Sequence, residues 1–386
     1  MSPLLPAPAG GLRVGVRVPL TLRDAAGQVL LPRGQAVTDE AQLQALLAQP
    51  LFVAQDESDA FRRAHAERLR QQAAAGLPEP DWPGWRARAR ALLVEPSAEG
   101  WLPALTALRD ELLAQARARP DATLRRLVHD AGLDWRDYSA SHALFVTVLC
   151  DLASARLSFW QPAWTGPLTL ASLSMNLSIT ALQDELARQE GPLTEQQRAL
   201  VQGHAERSAW MLGQLGVSDP LWVETVRHHH DAPPGPLRTR APAGVLARLL
   251  HRADAYAARM SPRRSRAASP AAKGAQTAFV DETGQPDEAG QALVKVTGVY
   301  PPGSWVRLAS GELALVMRRT EDMKAPAVVA ITDAQEERLP VPLARDTHEP
   351  AWAIVESVSP ADIHDRPDLA VIDSLDTLAA LPRAGG

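Results

Sequence analysis

Cysteine and lysine are nearly missing from this chain. A single Cys150 among 386 residues excludes an internal disulfide, and its apolar neighbours Leu149 and Leu152 predict that it packs inside a helix in a reducing compartment. Lys273, Lys295 and Lys324 are the only lysines, so arginine carries nearly all of the positive charge; with the abundance of alanine, this reads as genomic bias and not as function. No apolar run approaches the ~18 residues that span a bilayer. The opening MSPLLPAPAGG lacks the basic start and apolar stretch of a signal peptide. These absences predict a soluble, cytoplasmic protein without a membrane partner. A net charge of -5 leaves no concentrated positive surface for phosphate backbones, which excludes a general binder of nucleic acid polymers.

What is present is enough apolar side chain, 46% of the residues, to bury a sizeable core in two or three structural units. Residues 1–58 read as a small β-rich module: Val14, Val16, Val18 and Leu20 alternate, Gly27 marks a turn before Val29 to Leu31, and a short helix over 39–48 closes the unit. Residues 59–120 are rich in Ala, Arg and Leu but broken at Pro78, Pro80, Pro83, Pro96 and Pro103, the pattern of a helical linker. Helical spacing dominates 121–268. There Thr194 with Gln197 three residues on forms a capping box, Gly216 suits the end of the helix so opened, and Asp219-Pro220 starts the next. Residues 265–292 show no periodicity and suggest a mobile loop. Within 269–345 a C-terminal β segment follows: Val306 and Leu308, a Ser310-Gly311 turn, Leu313 to Met317, then a strand at Val328 to Ile331. Residues 346–386 form a tail without a readable role. The fold class is α+β, an all-helical bundle with a small N-terminal β-rich module and a C-terminal β hairpin region.

Several polar side chains fall on apolar helix faces. His204 lies on the stripe Leu200/Val201, Ser208, Met211/Leu212 and Leu215. Trp222 and Val226 share a side with His229 and His230, and Pro233-Pro234 ends that helix. Asp254 interrupts the apolar series Leu246, Leu250, Ala253 and Ala257, where an unpaired carboxylate costs several kcal/mol, so it needs a partner. His142 shares a face with Phe145, Leu149 and Leu152. Taken singly, each has a bland reading: a hydrogen-bonded core histidine, a solvated helix end for His228 to His230, a salt bridge of Asp254 with Arg248 or Arg252. Joint occurrence on successive helices is how bundles build metal sites.

These residues carry a family resemblance. His204, then His229-His230-Asp231, then the run from Asp254 through Tyr256, Arg259 and Ser261 to Arg263, resemble the HD-GYP subfamily of the HD phosphohydrolases, which hydrolyse cyclic di-GMP. Leu193-Thr194-Glu195, the segment Tyr300-Pro301-Pro302-Gly303 with Gly311-Glu312, and the stretch from Leu12 to Gly34 are similar to further parts of such proteins. The resemblance implies an HD-domain helical bundle, metal ligation by His142, His204, His229, His230 and Asp254, and Arg263 and Arg266 near the phosphates of a ligand. The departures count as well. Met175-Asn176 stands where the family has its namesake His-Asp, and the lysine that follows there is missing; Tyr138 replaces a glutamate, and no Gly-Tyr-Pro follows the histidines. A neutral amide binds hard divalent ions far more weakly than a bridging carboxylate. The implied protein is a degenerate HD-GYP-like module with no catalytic residues left. It would hold one divalent transition metal (iron, manganese or zinc), bind a cyclic dinucleotide or signalling protein partners, and be impaired in turnover. The alternatives are an active metal-dependent phosphodiesterase using the remaining His/Asp cluster, and a metal-free scaffold for protein partners.

Overall fold

A computed structural model describes residues 3–7, 12–15, 18–58, 61, 77–96, 99–133, 137–265 and 268–363. The N-terminal module is a four-stranded antiparallel sheet, ordered β1-β4-β2-β3, of β1 (Leu4–Ala7), β2 (Leu22–Arg23), β3 (Val29–Leu31) and β4 (Leu51–Ala54). Helix α1 (Glu40–Leu47) covers it, started by Asp39, whose carboxylate accepts from the Gln42 amide. Val18, Leu22, Leu31, Val37, Leu43, Leu46, Leu51 and Val53 fill the space between sheet and helix. The expected strand over Val14 to Leu20 reduces to a bridge between Val14 and Val37, and Val16 lies outside the described residues. The opening Leu-Leu-Pro-Ala, read above only for its lack of a leader, instead supplies edge strand β1, a position that tolerates Pro6.

The bundle runs from α2 (Trp82–Val94) and α3 (Trp101–Ala118) through α4 (Pro120–Leu133), α5 (Tyr138–Ser154), α6 (Thr165–Ser174), α7 (Thr180–Arg188), α8 (Glu195–Gln202), α9 (His204–Gln214), α10 (Pro220–His228) and α11 (Pro242–Met260) to α12 (Ala271–Phe279) and α13 (Glu288–Thr297). Helix α5 is its axis. It packs against α2, α3, α4, α6, α7, α11 and α13, and nearly all its residues are buried, Cys150 included. Three expectations fail here. The stretch expected to be a linker is core: Trp82, Trp85, Ala89, Leu93, Trp101, Leu105, Leu108, Leu112 and Ala116 belong to the largest apolar cluster. Pro83 and Pro103 do not break their helices because both sit in the first turn, where no amide partner is lost.

The expected loop over 265–292 contains α12 and the start of α13. Its alanines form a stripe of small residues, Ala271, Gly274, Ala275 and Ala278, that lets helices approach closely. A Cβ on Gly290 would stand 1.8 Å from the Ala278 carbonyl oxygen. The helix expected from Thr194 divides at Gly203 into α8 and α9. The capping box is present, but no residue of α8 is buried, and Leu200 faces solvent.

The C-terminal sheet is antiparallel, ordered β8-β7-β6-β5-β9, from β5 (Trp305–Leu308), β6 (Leu313–Arg318), β7 (Ala327–Thr332), β8 (Arg338–Asp346) and β9 (Ile354–Val358). Two-residue alternation divides its side chains. Trp305, Leu315, Met317, Val329 and Ile331 fill one cluster; Val306, Leu308, Ala314, Val316 and Val328 fill the other. Strand β9 comes from the stretch expected to be an unreadable tail and pairs with β5. The sheet is pinned to α4 by the buried Arg125, whose Nη1 donates to the Met317 carbonyl at 3.1 Å. At Gly303 (φ +90°) a Cβ would lie 2.4 Å from the Arg125 carbonyl oxygen.

Candidate functional site

Two helix ends deliver the three histidines. His204 is the first residue of α9, after the break at Gly203. His229 follows the last residue of α10, with His230 next. Trp222 and Val226 bury that face of α10 and so set which way its end projects. His204 and His229 are buried and His230 is exposed.

The hydrogen bonds fix what these rings present to one another. His204 Nδ1 lies 2.6 Å from the Val201 carbonyl, and His229 Nδ1 lies 2.7 Å from that of Val226. A carbonyl oxygen only accepts, so in both rings Nδ1 carries the proton and Nε2 a lone pair. Yet His204 Nε2 is 3.2 Å from His229 Nε2 and 3.2 Å from His230 Nε2. Between the neutral rings of His204 and His229 no proton is available for that contact, and two facing lone pairs repel. A shared cation removes the conflict. Nitrogens about 2.1 Å from one ion stand about 3.0 Å apart at a right angle and about 3.4 Å apart at a tetrahedral one, which brackets the observed spacing.

Electrostatics keep the rings ready for that role. Burial, then the neighbouring His230, pulls the His229 pKa from 6.5 to about 3. Burial lowers His204 and His230 as well. A neutral imidazole is the ligating form, so these shifts hold the donors deprotonated at neutral pH.

His142 and Asp254 stand as a pair beside this cluster. His142 Nε2 is 2.7 Å from Asp254 Oδ1, joining α5 to α11. Burial opposes ionisation of Asp254, but the hydrogen bond and charge of His142, with the fields of His229 and His230, outweigh it and hold the carboxyl well below the usual carboxylate range. The acid on the apolar face thus has its partner, and that partner is His142 in place of Arg248 or Arg252. Those arginines instead meet the buried Asp287, Arg248 Nη2 at 2.5 Å and Arg252 Nε at 3.9 Å.

The remaining sequence candidates are placed elsewhere. Met175 is packed in the core, and with Asn176 it lines a small cleft beside Ser139, Ser172, Thr180 and Gln183. Tyr138 stacks on His142, with centroids 5.5 Å apart, while the Arg263 guanidinium covers its ring at 5.0 Å and donates to its hydroxyl at 3.1 Å. Arg263 is therefore engaged by Tyr138. Arg266 lies outside the described residues. Sequence reasoning gave no weight to His251, which the structure sets edge-on to His230 at 5.9 Å between centroids. Its i, i+3 spacing from Asp254 on α11 was the available signal.

An α+β protein whose helical bundle gathers a histidine cluster of metal-binding geometry is the class so defined. No family model matches the chain. It is 29% identical over 244 residues to a curated Pseudomonas aeruginosa protein, cyclic di-GMP phosphodiesterase PA4108, a match covering 61% of this chain and 57% of that one. The chain thus spans little more than half the length of this relative. A solved structure, Bd1817, described as a HDG"Y"P protein from Bdellovibrio bacteriovorus, covers 76% of this chain and 99% of its own at 16% identity and a TM-score of 0.43, and nothing further is built on that likeness. The named activity of the Pseudomonas relative is that of the family which the motifs resemble. No described helix is long and apolar enough to cross a membrane.

Proposed function

We propose that this protein is a metal-holding, cyclic-dinucleotide-binding module of bacterial second-messenger signalling in which hydrolysis is impaired. The convergence of the three Nε2 atoms carries the reading, because their spacing suits a shared ion and the 3.2 Å between His204 and His229 fits no hydrogen bond between neutral rings whose protons sit on Nδ1. His204, His229 and His230, with Asp254 nearby, would hold one divalent ion, iron, manganese or zinc. When bound, that ion supplies positive charge against phosphate oxygens. The protein's own residues do the rest: backbone carbonyls of Val201 and Val226 fix the tautomers, and His142 holds Asp254 ionised.

Impairment is argued from Met175 and Asn176. A methionine and a neutral amide offer no bridging anion for a second ion, and the metal pair that clamps a phosphodiester needs one. The product of the module is then a bound state, read by a protein partner in the cytoplasm. The named activity of the Pseudomonas relative favours a second reading, an active phosphodiesterase working with the same cluster.

Calorimetric titration with cyclic di-GMP, with and without manganese or iron under reducing conditions, separates the two when paired with a hydrolysis assay. Binding that needs the metal, with no enzyme-like turnover, is expected. Hydrolysis at enzyme-like rates overturns the impaired reading, and neither metal nor nucleotide binding leaves a metal-free scaffold.

A further inference from the structure

Between α2, α5, α6 and α7 lies the small cleft whose polar wall is Ser139, Ser172, Asn176, Thr180 and Gln183, the rest of it being apolar. Two of its three hydroxyls are satisfied. Ser172 Oγ is met by Thr147 Oγ1 at 2.9 Å and the Thr169 carbonyl at 2.8 Å, and Thr180 Oγ1 reaches the carbonyls of Asn176 and Leu177 at 3.2 and 3.3 Å. Ser139 differs. The residue is 3% exposed, and its Oγ has no hydrogen-bond partner within the protein.

Its place in the helix accounts for this. Thr147, Thr169 and Ser174 each turn back to the carbonyl four residues earlier, but Ser139 is the second residue of α5, so no helical turn precedes it to offer one. A buried hydroxyl left bare costs about 1–3 kcal/mol, so one in the wall of a cleft points to an occupant.

Size and charge say which. The cavity volume is about 10 Å³, room for the centre of one water and too little for an organic ligand. No ionisable side chain lines it. Asp184, which accepts from the Ser139 amide at 2.8 Å, is paired with Arg90 at 3.3 Å and lies outside the wall, so an ion would be buried without an opposite charge facing it. Water both donates and accepts. Buried waters make about three hydrogen bonds, the number that Ser139 Oγ and the amides of Asn176 and Gln183 together supply.

We propose that this cleft is a hydration site, one ordered water held by Ser139, Asn176 and Gln183 that ties the start of α5 to the segment after α6 and to α7. The proposal goes beyond the metal reading and does not depend on it. It gives the Asn176 amide a structural task beside the apolar Met175.

Crystals of the full chain soaked in rubidium chloride test it, because rubidium marks a monovalent cation site by anomalous scattering and water does not. The expected result is one non-anomalous density peak within about 3.2 Å of Ser139 Oγ and of at least one of the two amides. An anomalous rubidium peak there makes it a cation site and overturns the proposal; so does a cleft without density, or a Ser139 hydroxyl turned to a protein acceptor. In solution, oxygen-17 relaxation dispersion counts long-lived internal waters in wild type and in Ser139→Val, whose larger side chain fills the space, with far-UV circular dichroism as the folding check. One fewer long-lived water in the folded variant is expected, and an equal count contradicts the proposal. If Ser139→Val does not fold, the wild-type density decides.

Discussion

Mild acid should destabilise the metal-free protein through His229. The side chain is fully buried, and burial with the adjacent His230 brings its pKa down to about 3, against about 6.5 in an unfolded chain. The folded state refuses a proton that the unfolded state accepts, so this contribution is fully present above about pH 6.5 and is lost as pH falls toward the folded value. Between pH about 7 and about 5.5 the loss from this one residue is about 1.2 kcal/mol, nearly independent of whether the folded value is 3 or 4. His204 and His230 shift in the same direction and add in the same sense. Urea unfolding of the metal-free protein at the two pH values, compared between wild type and His229→Gln, measures the term. His228→Gln, at an exposed neighbour, serves as control. The variant should lose about 1.2 kcal/mol of pH dependence while the control keeps it. Equal pH dependence in wild type and His229→Gln would show that the ring is not held neutral, and the tautomer argument for the cluster would fall with it.

The packing makes two further predictions. Gly290→Ala places a methyl against the Ala278 carbonyl where α12 and α13 nearly touch, so it should cost about 1–3 kcal/mol or more in urea unfolding; an unchanged midpoint refutes the close approach. Asp287→Ala takes one of two carboxylates from Arg248, which is only 1% exposed and keeps Glu282, and removes the cap on the Gly290 amide; a loss of about 1–3 kcal/mol is expected, and a loss well under about 1 kcal/mol means that water replaces the ion pair.

Element types were legible wherever pattern and punctuation agreed. The Thr194 capping box, the Asp219-Pro220 start, Gly216 beyond the end of α9 and the Ser310-Gly311 hairpin all appear as their local chemistry dictates. The misses share a cause. Proline in 78–103 was read as a breaker because sequence does not reveal that Pro83 and Pro103 fall in first turns, and alanine-glycine composition in 265–292 was read as looseness when it serves close helix contact. Strand β9 alternates too briefly to be seen without its partner β5.

At the site, periodicity placed His204 and His229 inward, yet it could not show that Asp254 pairs with His142, since that contact bridges 112 positions. Nor could it show that the ring of His251 meets that of His230.

The central claim is that three imidazole nitrogens share one ion. Elemental analysis of the purified chain, loaded in turn with iron, manganese and zinc under reducing conditions and then desalted, tests it directly. One equivalent per chain for at least one metal, lost in His229→Gln, is predicted. No retained metal under any loading contradicts the account, and two equivalents contradict its single-ion form.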